Sequence, residues 1–79
     1  MNTIAEKWQE YKTLFIPMDA GKTQVQETRR VFYAGALAYM AIVLNAADKK
    51  FSDEAGAHII KGLEEELKLF CQQVIKGEA

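Results

Sequence analysis

Seventy-nine residues make one small domain, and a chain of that size buries only about 60% of the surface its unfolded form exposes, so it needs a staple or a partner. One cysteine, Cys71, excludes an internal disulfide, and with the lone His58 it makes no zinc site. A net charge of −1 argues against a general nucleic-acid binder, and 49% hydrophobic residues is more than one small core holds, which predicts self-association.

The charge is unevenly spread. Residues 1–50 carry seven Lys/Arg against five Asp/Glu, a net +2, and residues 51–79 carry three against six, a net −3. A mildly basic front half suits a small anion on one face, and the asymmetry equally suits subunits packed head to tail. Asn2 to Glu10 is polar and amphipathic rather than a signal peptide, so the expected compartment is the cytoplasm.

Thr3-Ile4-Ala5-Glu6 reads as a capping box that opens a helix over 3–16. Ile4, Trp8, Tyr11 and Phe15 follow as one apolar stripe, until Pro17 disfavours helix at Ile16 and Met18-Asp19-Ala20-Gly21 turns the chain. A helix of about a dozen residues is marginal alone and must dock.

A second helix is expected over 23–47, with Thr23 and Gln26 as a weaker capping box. Val31 to Leu44 is apolar almost all round, which predicts burial on every side. The run is too short for a bilayer crossing of roughly 20 residues, so no membrane span is expected. Ala34, Gly35, Ala36, Ala38 and Ala41 let helices approach closely, as at the centre of a bundle or oligomer.

After the connection Asn45 to Phe51, Ser52 is an N-cap with Asp53 and Glu54 in the first turn, opening a third helix over 52–76. Ile60, Leu63, Leu67, Phe70 and Val74 repeat at coiled-coil spacing, Glu64 and Lys68 form an i,i+4 pair, and Gly77 ends the helix. Gly56 and Gly62 each weaken it by roughly 1 kcal/mol unless close packing requires them. The expected architecture is all-α: a short N-terminal amphipathic helix, then a long antiparallel helical hairpin, in one domain spanning 1–79 that assembles into a compact homo-oligomer.

Gly21-Lys22-Thr23 invites a P-loop reading, but Ile16 stands where the first glycine of that motif belongs and no strand precedes it. Free N–H groups, a positive dipole end, a lysine and a hydroxyl still favour a phosphate there; the plainer reading is a solvated lysine beside a helix cap. Arg29 and Arg30 either clamp a phosphate or bridge to Glu27 and the acidic third helix. Trp8 and Tyr11 either stack on a base or form core, and Tyr33 and Tyr39 are expected to pack. His58 has no nucleophile or acid at catalytic spacing, Glu64-Glu65-Glu66 is a solvated face, and Cys71 is a small packing residue. No catalytic constellation stands in the chain, so no enzyme, metal or cofactor is expected.

The run Glu27-Thr28-Arg29-Arg30-Val31-Phe32-Tyr33-Ala34-Gly35-Ala36, with Ser52-Asp53-Glu54 and Leu63-Glu64-Glu65-Glu66-Leu67, resembles a group of small phage and prophage helical-hairpin proteins. To that group belong the phage anti-CBASS cyclic-nucleotide sponges and, more distantly, the anti-Thoeris sponges. The likeness covers roughly residues 20 to 76, and the short helix ahead of the hairpin fits the anti-CBASS proteins better. It implies a hexamer, a trimer of dimers, that holds cyclic dinucleotides such as cyclic GMP-AMP between protomers in the host cell cytoplasm. The messenger is sequestered without cleavage and CBASS-type effectors stay unactivated. Carried over by residue, Tyr11 would stack on a base beside Lys12, with Lys22 and Thr23 holding phosphate; Arg30 and Tyr33 would serve a second position, where some members hold cyclic trinucleotides.

Two other classes stay open from sequence. One is a phage or prophage accessory protein that acts through protein–protein contact. The other is a small DNA-binding regulator, although the long apolar second helix and acidic third helix suit duplex recognition poorly.

Overall fold

The computed structural model describes residues 2–79, which form three α-helices: α1 (Ile4–Phe15), α2 (Lys22–Ala46) and α3 (Asp53–Ile75). Among the described residues there is no strand. The helices gather into two compact units, Met1–Met40 and Ala41–Ala79, whose boundary falls within α2.

Local chemistry sets the helix ends. At the start of α1 the Glu6 N–H donates to the Thr3 hydroxyl oxygen (3.1 Å) and the hydroxyl donates to the Glu6 carboxylate (2.9 Å). The carboxylate thus reaches back to the cap residue, meeting its hydroxyl, while the Glu6 N–H receives the cap bond that a capping box shares. α1 closes on the Ile16 N–H, which donates to the Lys12 carbonyl (3.1 Å). Ile16 itself is extended, as the residue before a proline prefers. The Ala20 N–H then donates to the Pro17 carbonyl (3.1 Å), closing a tight turn.

α2 is capped two residues earlier than the sequence suggests. The Val25 N–H donates to the Gly21 carbonyl (3.1 Å), so Gly21 stands at the cap and Lys22 and Thr23 lie in the first turn. Thr23 is therefore inside the helix rather than its N-cap. The turn at Pro17 to Ala20 brings the chain into helical register before the threonine is reached.

α3 is capped as the sequence indicates. The Ser52 hydroxyl accepts from the Ala55 N–H (3.1 Å), and Asp53 and Glu54 fill the first turn. At its far end Gly77 takes φ +75, its N–H donates to the Val74 carbonyl (3.0 Å), and Glu78 N–H donates to Gln73 (2.8 Å). That pair of bonds is a Schellman ending, which favours glycine at the left-handed position. Between α2 and α3 the Asp48 carboxylate accepts from the Lys50 N–H (3.0 Å), and the Phe51 N–H donates to the Asp48 carbonyl (3.1 Å).

The first unit is built on aromatic rings. Trp8, only 3% exposed, lies 5.6 Å from Phe32 and 6.2 Å from Tyr11 between ring centroids. Tyr11 also meets Phe15 at 5.0 Å and Phe32 at 5.5 Å. These are ordinary tilted and offset aromatic contacts, so the apolar stripe of α1 docks on the early turns of α2.

In the second unit the last turn of α2 meets the first turns of α3. Ala46 is 4% exposed and Gly56 is buried beside it. Val43, Ala55, Ile59 and Leu63 are half-buried in the same unit. The expected seam of α3 behaves differently: only Leu63 is half-buried, whereas Ile60, Leu67, Phe70 and Val74 are exposed.

Burial of α2 on every side does not hold in the single chain. Val31, Leu37, Met40 and Leu44 are all exposed, Leu37 at 71%. A helix apolar all round needs several neighbours to enclose it, and one chain of three helices has too few.

Candidate functional site

Four polar or aromatic side chains of α2 line an open recess of about 370 Å³: Gln26, Arg29, Arg30 and Tyr33. Their spacing of three, one and three residues places them on one helical stripe. The Arg29 guanidinium carbon lies 5.4 Å from the Tyr33 ring centre, within cation–π range. Arg30 donates to the Glu27 carboxylate one turn back at 3.3 Å, on the exposed surface. Among the described residues no carboxylate pairs with Arg29. The recess therefore holds one guanidinium partly neutralised by Glu27 and one carried on an aromatic face.

A second recess, about 440 Å³, lies where α1 ends. Ile16, Pro17, Met18 and Val25 supply its apolar wall, and Gln9, Lys12 and Thr13 its polar rim. The Thr13 hydroxyl is engaged, donating to the Gln9 carbonyl at 2.9 Å.

The residues expected from sequence separate between these places. Arg30 and Tyr33 share the first recess, joined by Arg29 and Gln26. Lys12 lines the second. Tyr11 belongs to the ring cluster with Trp8, Phe15 and Phe32, and lines neither recess. Lys22 and Thr23 are exposed in the first turn of α2, outside both linings. Of Tyr11, Lys12, Lys22 and Thr23, only Lys12 lines either of these two recesses. Gln26 is the addition; Arg29 already stood beside Arg30 as a candidate phosphate clamp, and the spacing of Gln26 three and four residues before that pair was the signal for it.

A further recess, about 540 Å³, belongs to the second unit and is lined by Ala46, Asp48, Phe51, Asp53, Gly56 and Ile60 among others. Its two aspartates outnumber the one cation on its wall, Lys49, which makes it a poor phosphate site, and it contains none of the residues expected to bind one. Among the described residues no group of three or more His, Cys, Asp or Glu could hold a metal ion, and no helix is long and apolar enough to cross a membrane.

No protein-family model, no curated protein and no solved structure matches the chain.

Proposed function

We propose that this protein is a phage anti-defence sponge. It binds cyclic di- or trinucleotide messengers in the host cytoplasm, holds them without cleavage, and so keeps CBASS-type effectors inactive. The observation that carries the reading is the stripe of Gln26, Arg29, Arg30 and Tyr33, with Arg29 over the Tyr33 ring and no carboxylate on Arg29 among the described residues. A cyclic nucleotide carries phosphates that pair with guanidinium groups and bases that stack on rings, so both halves of the ligand have a counterpart.

All four residues stand on one helix, and a recess with a single wall leaves a ligand largely exposed, whereas small-molecule sites enclose most of theirs. A homo-oligomer built on helical hairpins supplies the missing wall from a neighbouring protomer. The exposed Val31, Leu37 and Met40 on the same helix are consistent with such a neighbour.

The test is the melting temperature against cyclic dinucleotides, cyclic trinucleotides and cyclic ADP-ribose isomers. A ligand at 100 times its Kd stabilises the fold by about 2.7 kcal/mol, a rise of roughly ten degrees or more for a domain of this size. One strong hit with the ligand recovered intact supports the sponge. A flat panel at high concentration removes it.

The second reading is a helical accessory protein acting by protein–protein contact. It draws on the breadth of exposed apolar surface, including Leu14, Phe15, Leu69 and Ile75. It expects no nucleotide effect and a partner protein instead.

A further inference from the structure

α3 carries a face that its own unit leaves open. Ile60, Leu67, Phe70 and Val74 are exposed, Phe70 at 55%, and with Leu63 they repeat at three, four, three and four residues. That repeat is the a/d seam of a coiled coil, whose holes accept the knobs of a helix with the same repeat. A second copy of α3 supplies one.

The charges beside the seam say how two copies meet. With Ile60, Leu67 and Val74 at a and Leu63 and Phe70 at d, the flanking e positions are Glu64 and Cys71, and the flanking g positions are Glu66 and Gln73. In an antiparallel pair, e faces e and g faces g. Setting Leu67 of one copy beside Phe70 of the other places Glu66 opposite Gln73 and Glu64 opposite Cys71. No two carboxylates then meet, and the layers Leu63–Val74 and Leu67–Phe70 each form twice. Sliding the pair by one heptad toward the start of α3 gives comparable apolar layers. It sets Glu66 against Glu66, which like-charge repulsion opposes, and Glu64 against Glu64, where Lys61 and Lys68 already offset part of the charge. Sliding the other way loses Leu63 from the contact. Apolar layers alone do not choose a register; the charges do.

We propose that α3 pairs with α3 of a second copy as an antiparallel two-stranded coil, in the register that sets Leu67 beside Phe70 and Glu66 opposite Gln73. The pair is isologous, so each contact occurs twice about one twofold axis. It deepens the homo-oligomer half of the proposed function and needs no nucleotide.

Sedimentation equilibrium of the full chain without nucleotide tests it, using the half-buried Gln73 on the flank of the seam. Gln73→Lys creates two opposite-charge pairs per dimer with Glu66 and should tighten self-association about fivefold at low salt. Gln73→Glu should weaken it by a similar factor, and both effects should fade as salt rises. Single-cysteine chains made in a Cys71→Ser background give the direction of pairing. Leu63→Cys should form a disulfide with Val74→Cys when the two are mixed, and Val74→Cys alone should not dimerise covalently. A wild-type chain that stays monomeric, a Gln73 charge without effect, or a Val74→Cys disulfide overturns the proposal. A dimer that passes these tests beside a flat nucleotide panel removes the sponge and leaves the pairing standing.

Discussion

Gly56 lies so close to Ala46 that no side chain fits between them: a Cβ built on Gly56 would stand 2.6 Å from the Ala46 carbonyl oxygen. That oxygen is backbone, fixed in the last turn of α2, and cannot swing aside as a flexible side chain would. Gly62, in the same helix, has nothing within 4 Å of the equivalent position. The two glycines look alike in sequence and should behave oppositely. Gly56→Ala gains helix propensity but overpacks the contact, for a net loss of about 1–3 kcal/mol. Gly62→Ala should stabilise by up to about 1 kcal/mol. Thermal unfolding followed by far-UV circular dichroism reads both, and a stabilised Gly56→Ala would show that the contact is not closed.

The ligand site separates from the ring cluster by mutation. Arg29→Ala removes the guanidinium above Tyr33 and should weaken cyclic-nucleotide binding at least tenfold by calorimetry, with the helical spectrum unchanged. Arg29→Lys should rescue little, since an ammonium loses the planar fork. Tyr11→Ala, by contrast, removes ring contacts to Trp8, Phe15 and Phe32. It should lower the melting temperature with or without ligand. Equal binding by Arg29→Ala and wild type would move the site elsewhere.

The cap of α3 carries a stability contribution of its own. Ser52→Ala leaves the Ala55 N–H without its hydroxyl partner and should cost about 1 kcal/mol, whereas Ser52→Asp should retain the cap. Denaturant unfolding at constant m-value distinguishes the two, and an Ala variant as stable as wild type would show that water replaces the cap at no cost.

Glu64 and Lys68 give the chain a modest pH dependence. The hydrogen bond from Lys68 (2.9 Å), then the charges of Lys61 and Lys68, hold the Glu64 carboxyl below the usual carboxylate range. The same bond, then the Glu64 charge, raises Lys68. Glu64's contribution is present above its unfolded pKa and is lost as pH falls through the lowered folded value. Lys68's is present below its unfolded pKa and is lost as pH rises through the raised one. The pair is fully exposed, so salt screens it. In a pH titration of helicity the acid limb of Lys68→Gln should lie at higher pH than that of wild type, and the difference should close in high salt. Coincident acid limbs at low salt would mean that the pair adds nothing.

The helix ends were legible where a short peptide decides them. Thr3, Ser52 and Gly77 act through bonds that reach no further than five residues along the chain. The cap of α2 was displaced by two residues because Gly21 and the preceding turn, rather than the Thr23 hydroxyl, set the register. Periodicity placed the apolar stripes of α1 and α3 and could not say how much of each one chain would cover. Trp8 is buried and Phe70 is not, although both stand on such stripes. The link between Arg30 and Tyr33 came with the resemblance, and both line one recess of α2. Tyr11 and Lys12 lie before the turn at Pro17 to Ala20 and Lys22 and Thr23 after it, so their relation depends on that turn's path, which spacing does not encode.

Trp8 is the sole tryptophan, and it sits nearly sealed between rings in Met1–Met40, while Ala41–Ala79 holds none. The chain therefore carries a built-in optical label on one half. Its fluorescence follows the release of α1 from the early turns of α2 and is blind to melting of the far half, which circular dichroism records. If the halves are separate cooperative units, the two signals will cross their midpoints at different temperatures; if they unfold as one, the curves will superimpose.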